Sequence, residues 1–336
     1  MTEFRTSHSK IKSWRTCRNQ AHYRYIEKLE PVKKAKPLVI GSIGHEMLEE
    51  RIEGGNPENV LAQAQKVYDQ LFREEQETYG DIIGDLRSMI SGYVKRYAND
   101  GLKYLKIKGK RAEHEAEIDL GNGIVLVVKL DAIAETADGR VWAMEHKFKK
   151  SIPDEDERFF DIQTAIYTEF PAAFGVAKFT GTLWDYIRTK PPTVPELLKK
   201  GGLSRAKSID TTPEVYLAAI KANNLDPADY QDVLNELRGK ENDFHRRVPM
   251  PRNRTLGKSL VEDIKQSSLI MQRDLGKDRS RTIDKHCKWC SYRTLCRAEL
   301  LGLDADFVRK HDYRVKEKRV EEKTRSDQAG KRAKVA

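Results

Sequence analysis

The sequence predicts an α/β fold in which a central mixed sheet is flanked by helices. Three observations lead to this prediction. Helical periodicity dominates residues 41–97, the apolar pattern changes to strand-like alternation near residue 112, and a helix followed by an apolar strand occupies residues 156–187. Helices, three strands, a helix and a further strand in this order are typical of a layered α/β core.

The segment before residue 112 is predicted to be helical. Residues 7–29 combine basic and aromatic side chains at roughly helical spacing, and Lys33–Pro37 has the composition of a linker. Apolar residues then recur at three- and four-residue intervals, which indicates amphipathic helices. These helices are expected at residues 41–52, 57–72 and 85–97.

Turn residues divide the next segment into strands. Gly121-Asn122-Gly123 and Asp138-Gly139 separate apolar runs, and such dipeptides are strong hairpin signals. We therefore predict a three-stranded antiparallel meander at residues 112–120, 124–131 and 141–148. A helix at residues 156–170 and a strand at residues 178–187 follow.

The sequence after residue 190 indicates three further regions. Thr212-Pro213 and Asp226-Pro227 each place a capping side chain before a proline, which is typical of helix starts. The predicted organisation is a core at residues 1–190 that carries an N-terminal cysteine element, and a mainly helical insertion at 191–285. A cysteine segment at 286–312 and a disordered basic tail at 313–336 complete it.

Charge by itself does not identify a ligand. The 336 residues include 62 Lys and Arg and 52 Asp and Glu, a net charge of +10. Residues 313–336 hold nine basic and four acidic residues, so half of that excess lies in the predicted tail. The sequence shows no apolar run of the length that a membrane span needs and no secretory signal, so we expect a soluble, cytoplasmic protein.

Acidic and basic residues share one face of the predicted strand at residues 141–148. Because side chains alternate along a strand, Glu145 and Lys147 lie on one face, and the meander would bring Asp131 beside Glu145. Two carboxylates and an ammonium form a plausible site for a hard cation such as Mg²⁺. An ordinary surface Glu–Lys pair is the alternative, since the pattern alone is weak.

Two neighbouring helices add polar residues to this set. Gln163 and Tyr167 are four residues apart and so share a helix face. Gly41, Ser42, Ile43, Gly44 and His45 form the start of another predicted helix. Taken one by one, a satisfied amide, a half-buried tyrosine and a packed histidine are common in protein cores.

Together these residues resemble the PD-(D/E)XK nuclease superfamily, and in particular its RecB-like branch. The matching elements, in family order, are Gly41-x-x-x-His45, Asp131, Glu145-x-Lys147 and Gln163-x-x-x-Tyr167. The resemblance implies a restriction-endonuclease-like core in which His45, Asp131, Glu145 and the main-chain carbonyl of His146 bind Mg²⁺ or Mn²⁺. It also implies that Lys147 is catalytic and that Gln163 and Tyr167 bind or orient DNA. Leu130 stands where the superfamily's proline would be.

The four cysteines resemble those of the iron–sulfur members of that branch, the AddB-type and CRISPR-adaptation or phage four-cysteine nucleases. Cys17 lies near the N-terminus, and Cys287, Cys290 and Cys296 follow the spacing C-x2-C-x5-C. The resemblance implies a 4Fe–4S cluster that joins the two ends of the chain, with tetrahedral zinc as the alternative. Trp289 and Tyr292 would stack on bases or pack around that cluster.

The leading hypothesis is a divalent-metal-dependent DNA exonuclease that hydrolyses phosphodiester bonds in recombination or DNA-end processing. Its expected partners are DNA ends or single strands and a recombination protein. Four arginines of the insertion could line a strand channel or form a solvated basic surface, namely Arg246, Arg247, Arg252 and Arg254. One alternative is a DNA-end-binding component whose nuclease activity depends on a partner. The other is a zinc-stapled interaction module in which the Glu–Lys pair is incidental.

Overall fold

The structure, a computed structural model, describes residues 3–206, 208–241 and 243–316. Its α-helices are α1 (His8–Thr16), α2 (Arg18–Tyr25), α3 (Lys36–Ile52), α4 (Pro57–Asp69), α5 (Arg73–Tyr79), α6 (Ile82–Arg96), α7 (Glu155–Phe159), α8 (Ile162–Glu169), α9 (Pro213–Ala222), α10 (Gln231–Gly239), α11 (Arg254–Asp274), α12 (Arg293–Leu300) and α13 (Ala305–Asp312). Its strands are β1 (Phe4–Ser7), β2 (Leu29–Pro31), β3 (Lys103–Tyr104), β4 (Ala112–Gly121), β5 (Ile124–Glu135), β6 (Val141–Lys149), β7 (Gly181–Arg188), β8 (His245–Pro251) and β9 (Tyr313–Val315).

The chain divides into two compact units. The first unit consists of Met1–Lys34, Asp119–Val127 and Asp263–Ala336, and the second consists of Ala35–Ile118 and Val128–Glu262. This division differs from the predicted boundaries, because the N-terminal and C-terminal segments belong to one unit and the 191–262 stretch belongs to the other. The sequence shows no boundary of this kind, since contacts between distant segments decide it.

A mixed sheet organises the second unit. Strand β6 pairs antiparallel with β5, with Ala132 opposite Met144, and pairs parallel with β7, with Glu145 opposite Trp184. Strand β8 pairs antiparallel with β7, and β3 pairs antiparallel with the end of β5. The predicted α/β fold with a mixed sheet is therefore confirmed.

Helices α3, α4 and α6 bury one apolar face each in the second unit. Met47 and Leu48 of α3, Leu61 of α4 and Leu86 of α6 are buried in a shared cluster, which Ile187 of β7 joins. Such burial stabilises a helix at about 25 cal/mol per Å² of apolar surface. The amphipathic pattern in the sequence therefore corresponds to helix faces that are buried in the core.

Three predicted features differ from the structure. The predicted linker at residues 33–37 overlaps α3, because Pro37 lies in the first turn, where its missing N–H costs no hydrogen bond. The predicted helix at residues 156–170 is two helices, since the Asp161 side chain accepts a hydrogen bond from Gln163 N and begins a new one. The predicted disordered tail begins too early: Tyr313–Val315 pair with β2, and residues 317–336 lie outside the described residues.

The predicted insertion is not wholly helical. Thr212 and Asp226 cap helical turns as expected, but β8 adds a strand to the sheet. Its two prolines obscure the strand in the sequence, and prolines are tolerated where a strand lies at the end of a sheet. β7 meets β8 closely at Gly181, where a Cβ would lie 2.1 Å from the carbonyl oxygen of Met250.

Strand pairing and aromatic packing join the two ends of the chain in the first unit. β2 pairs with β9, and the Tyr292 hydroxyl donates a hydrogen bond to the Leu29 carbonyl at 2.8 Å. Tyr23, Leu295 and Tyr313 complete a buried cluster with these residues. The ends of the chain are thus held by strand pairing and aromatic packing.

The described helices do not have the properties of membrane spans. Across the described residues, none of them combines the length and the apolar character that a membrane span requires.

Candidate functional site

Strand β6 presents Glu145 and Lys147 on one face and His146 on the other. The Lys147 Nζ donates a hydrogen bond to Glu145 Oε1 at 2.6 Å, and Glu145 itself is only 5% exposed. A buried carboxylate needs such a partner, because an unpaired charge away from water is strongly destabilising. Glu145 is therefore buried and Lys147 partly buried, so the pair differs from an ordinary surface Glu–Lys pair.

Helix α8 completes the surroundings of Glu145. Tyr167 donates its hydroxyl to Glu145 Oε2 at 2.6 Å, and the Gln163 amide nitrogen donates to Glu145 Oε1 at 3.0 Å. The Gln163 carbonyl oxygen also accepts a hydrogen bond from Lys147 Nζ at 2.8 Å. We call Glu145, Lys147, Gln163 and Tyr167 the Glu145 cluster. The structure thus brings together four of the predicted residues.

Asp131 lies beside this cluster at the neighbouring strand. Its Oδ2 accepts a hydrogen bond from the backbone N–H of His146 at 2.7 Å, and its Oδ1 lies 3.5 Å from His45 Nδ1. Asp131 therefore connects the strand that carries Glu145 with helix α3, which carries His45. The predicted juxtaposition of the two carboxylates follows from the antiparallel register of β5 and β6.

The motif glycine of α3 differs from the expected one. A Cβ at Gly44 would lie 2.3 Å from the Phe148 ring, whereas a Cβ at Gly41 would meet no described atom within 4 Å. Gly44 is therefore the residue that allows α3 to approach β6. The His45 ring packs on Phe148 with a centroid separation of 5.5 Å.

The two carboxylates have opposite electrostatic settings. Burial raises the pKa of Glu145, and the negative charge of Asp131 raises it further against the effect of Lys147. Burial also acts to raise the pKa of Asp131, but the His45 hydrogen bond and charge outweigh it and hold that pKa at about 2. Asp131 is thus the fully ionised member of the pair.

The pKa values of the two basic side chains, Lys147 and His45, are both raised. Burial lowers the pKa of Lys147, but the charge and the hydrogen bond of Glu145 outweigh it, so the net shift is upward. The His45 pKa is likewise raised, since Asp131 outweighs the desolvation of the ring. Negative potential therefore dominates this site, which favours a cation.

The donor chemistry fits a hard divalent cation, but the ligands are not assembled. Carboxylate oxygens and imidazole suit Mg²⁺ or Mn²⁺. Nevertheless, in the part of the chain that the structure describes, no group of three or more His, Cys, Asp or Glu side chains is arranged to hold a metal ion. The oxygens of Glu145 and Asp131 accept hydrogen bonds from protein groups.

A buried polar network lies on the opposite face of β6 and was not predicted. Asp185 of β7 accepts a hydrogen bond from His146 Nδ1 at 2.8 Å and contacts Arg247 Nε at 3.3 Å. Tyr93 also donates to Asp185, and Arg247 bonds Asp100 at 2.6 Å. We call these five residues the Asp185 network. A charged residue inside the apolar 178–187 run was the available sequence signal.

This network corrects the proposed strand channel. Arg247 is buried in the Asp185 network, and Arg252 bonds Glu169 at 2.9 Å. Arg246 pairs with Glu241 at 2.6 Å. Three of the four arginines therefore neutralise carboxylates of this chain, which leaves only Arg254 without a described ion pair.

The four cysteines belong to the first unit but do not form the predicted cluster. All are free thiols, and their sulfurs do not group as metal ligands within the described residues. Cys290 and Cys296 pack against the Tyr23, Tyr292 and Tyr313 cluster, which draws them into apolar surroundings. Burial raises the pKa of Cys290, and the other three thiols raise it further. Cys290 and Cys296 are thus in contact with aromatic side chains.

One protein family matches most of this chain. A family profile described as the PD-(D/E)XK nuclease superfamily matches residues 5–297. No curated protein matches the chain in sequence.

Two solved structures show a weak structural similarity to this chain. The crystal structure of SSO0001 shares 13% identity, covers 89% of this chain and 88% of its own, and gives a TM-score of 0.33. A protein named "Putative exonuclease" from Eubacterium rectale shares 15% identity, covers 82% of this chain and 94% of its own, and gives a TM-score of 0.37. Because both TM-scores are low, only the family match bears on the chemistry of the chain.

Proposed function

Because the chain belongs to the PD-(D/E)XK nuclease superfamily, whose members act on nucleic acid and typically use a divalent metal, we propose that it is a metal-dependent DNA exonuclease. It hydrolyses phosphodiester bonds at DNA ends or in single strands, in recombination or DNA-end processing. One observation carries the nuclease part, namely the buried Glu145 carboxylate bonded to Lys147 at 2.6 Å beside Asp131. The exonuclease part rests on the RecB-like order of the sequence motifs.

The proposed metal ligands are Asp131, Glu145, His45 and the main-chain carbonyl of His146. A bound Mg²⁺ or Mn²⁺ supplies Lewis-acid stabilisation and a water of lowered pKa. Lys147 brings a positive charge toward the phosphate, where negative charge develops during the reaction. His45 holds Asp131 ionised, because its hydrogen bond and charge lower the pKa of that carboxyl.

Gln163 and Tyr167 are assigned different roles. Tyr167 is only 1% exposed and bonds Glu145, so it orients that carboxylate rather than contacting DNA directly. Gln163 bonds both Glu145 and Lys147, and it therefore holds the Glu145 carboxylate and the Lys147 ammonium at a constant separation. This separation matters because misplacement of a catalytic group by about 1 Å can cost about 100-fold in rate.

The test is cleavage of end-labelled single- and double-stranded DNA by anaerobically purified protein, in Mn²⁺ and in EDTA. We expect stepwise shortening from one end that requires metal and is abolished in Lys147→Ala. Lys149→Ala is the matched control, because Lys149 lies on the same strand and pairs with Glu157 at 3.2 Å. Cleavage that is indifferent to Lys147 would refute the assignment.

A partner-dependent DNA-end-binding component is the second candidate. In this candidate, a partner protein or a DNA end would complete the metal site. Wild-type protein that binds DNA ends but does not cleave them in Mn²⁺ would support this candidate over the first.

The occupant of the four thiols is a separate question. A 4Fe–4S cluster on Cys17, Cys287, Cys290 and Cys296, with zinc as the alternative, stays a prediction from the sequence. Iron, sulfide and zinc analysis of anaerobically purified protein tests it, with Cys290→Ser beside the wild type. Absence of iron, sulfide and zinc from wild-type protein would refute both the cluster and the zinc alternative.

A further inference from the structure

Trp289 exposes an unusually large aromatic surface. Trp289 is 81% exposed, whereas Trp14, Trp142 and Trp184 are each 5% exposed or less. Tyr292, three residues later, is 4% exposed and stacks in the core of the first unit. The packing that accounts for Tyr292 therefore does not account for Trp289. Tryptophan is enriched among the residues that contribute most to binding energy at interfaces, so the exposed Trp289 ring is a candidate contact for a ligand.

The charged residues close to Trp289 in the sequence are all basic. Residues 285–297 contain four Lys or Arg and no Asp or Glu. Lys285, Lys288, Arg293 and Arg297 are all exposed, and none of them makes an ion pair with another described residue. The Lys288 Nζ lies 5.4 Å from the centroid of the Trp289 ring. We call residues 285–297 the Trp289 segment.

We propose that Trp289 is a stacking platform for an unpaired nucleobase of single-stranded DNA, with Lys285 and Lys288 neutralising the adjacent phosphates. This combination of a stacking ring and unpaired cations is how proteins bind single strands without reading their sequence. The identification of the ligand as DNA rests on the proposed function.

The chemistry favours a single strand over other ligands. A base can stack on the indole only when its own face is free, which paired bases inside a duplex do not offer. A protein partner would need acidic groups to match four unpaired cations, as well as an apolar surface. A nucleic acid supplies both features at once, because each nucleotide carries a phosphate and a flat ring.

The first experiment measures affinity in EDTA, so that binding is separated from cleavage. The probe is a fluorescently labelled oligo-dT, and its anisotropy is titrated with anaerobically purified full-length protein. We expect Trp289→Ala to weaken binding about tenfold, within the range that one base–aromatic stack contributes, and Trp289→Phe to retain most of the affinity. Phe307→Ala is the matched control, because Phe307 is another exposed aromatic of the first unit.

The charge part has its own readout. Each lost phosphate contact reduces the slope of log K against log salt by about 0.7 for a single strand. Lys285→Gln and Lys288→Gln together should therefore flatten this slope by about 1.4. An unchanged slope would overturn the role of the two lysines.

The second experiment uses the indole itself. Because the other three tryptophans are buried, acrylamide quenching of the emission reports mainly on Trp289. Saturating oligo-dT should protect the indole from acrylamide, whereas an abasic strand of the same length and charge should not. The protection should be lost in Trp289→Phe, which removes the fluorophore but keeps an aromatic ring. Full acrylamide access in saturating oligo-dT would refute the platform.

These results separate the two proposals. Protection of Trp289 by oligo-dT without cleavage in Mn²⁺ would support the platform and reject the intrinsic exonuclease. Cleavage with wild-type affinity in Trp289→Ala would do the reverse. Equal thermal midpoints and metal contents of wild type and Trp289→Ala are required, because Cys287 and Cys290 flank the substituted residue.

Discussion

Glu145 accepts hydrogen bonds from three side chains on two different elements. Hydrogen bonds to charged groups contribute about 1.5–3 kcal/mol each when the group is buried. The three donors keep the carboxylate in one orientation while burial and Asp131 act to raise its pKa. Its ionisation therefore depends on its neighbours more than on its own chemistry.

Tyr167→Phe tests this dependence at a single atom. The substitution removes the hydroxyl that bonds Glu145 Oε2 at 2.6 Å and leaves the ring in place. Since that hydrogen bond lowers the Glu145 pKa, we expect the acidic limb of the cleavage–pH profile to move to higher pH. We expect cleavage at neutral pH to fall about tenfold, consistent with the loss of a charge-assisted hydrogen bond.

Tyr216→Phe is the control for this change. Tyr216 is also fully buried, and its hydroxyl bonds the Ser204 carbonyl at 3.0 Å in a different part of the second unit. It should alter stability without moving the pH profile. Identical profiles for wild type and Tyr167→Phe would contradict the role assigned to the hydroxyl.

His245 provides a pH dependence of stability. It is buried, its Nε2 bonds the Met89 carbonyl at 2.9 Å, and burial lowers its pKa to about 4. The unfolded chain takes up the proton near pH 6.5 and the folded chain only near pH 4, so protons favour unfolding between these values. Stability should therefore fall as the pH falls from 6.5 to 4, by about 2–3 kcal/mol in total.

The measurement is the free energy of unfolding in urea at several pH values, compared between wild type and His245→Gln. The variant should lose much of this pH slope, because glutamine does not titrate. Parallel slopes for the two proteins would show that other groups cause the dependence.

Among the elements, strands β6, β7 and β8 are connected by more than their backbone hydrogen bonds. The Asp185 network places one ionised carboxylate between His146 of β6 and Arg247 of β8. Hydrogen bonds and nearby positive charges lower the pKa of Asp185 in spite of its burial. The network thereby fixes the position of His146, whose backbone N–H donates a hydrogen bond to Asp131.

Asp185→Asn should destabilise the second unit by about 3 kcal/mol. The substitution leaves Arg247 with Asp100 as its one described ion-pair partner and removes the charge that faces His146, and breaking a buried charge network in this way costs several kcal/mol. Asp210→Asn is the matched control: Asp210 pairs with Arg188 at 2.6 Å, but its side chain is 37% exposed, so its loss should cost less than that of Asp185.

Urea unfolding of the two variants gives this comparison, and a double-mutant cycle with Arg247→Met isolates the pair. The combined loss should be smaller than the sum of the single losses, because both substitutions remove the same interaction. Strict additivity would mean that Asp185 and Arg247 contribute independently.

Element prediction succeeded where local signals were sufficient. The strands β4, β5 and β6 were predicted because Asn-Gly and Asp-Gly turns and alternating apolar residues are local features. β8 was missed because its arginines and prolines resemble a loop, and only pairing with β7 makes them a strand. The buried position of Arg247 likewise depends on Asp185, which is 62 residues away in the chain.

At the scale of the whole molecule, the first unit connects distant ends of the chain through Glu299. This carboxylate accepts hydrogen bonds from Tyr23 at 2.6 Å, Arg281 at 2.6 Å and Arg309 at 3.0 Å. The surrounding positive charges and the Tyr23 hydroxyl lower its pKa. One side chain therefore contacts both terminal segments.

Glu299→Gln should loosen the first unit selectively. We expect faster amide hydrogen exchange in α2 and α13 and little change in β6 and β7, because the lost charge contacts lie in the first unit. Glu30→Gln is the control, since Glu30 pairs with Arg314 at a more exposed position. Equal amide protection in the two units of Glu299→Gln would contradict the assignment of these charge contacts to the first unit.

The sequence by itself determined the α/β fold and the order of His45, Asp131, Glu145, Lys147, Gln163 and Tyr167 along the chain. Those features depend on periodicity and spacing, which are local. The tertiary structure alone decided which charges are buried and which ring stays exposed, as for Asp185 and Trp289. It also brings the two ends of the chain together by strand pairing and aromatic packing. The physical reason is that burial and ion pairing arise between segments far apart in sequence, and their energies depend on which partners the fold brings together.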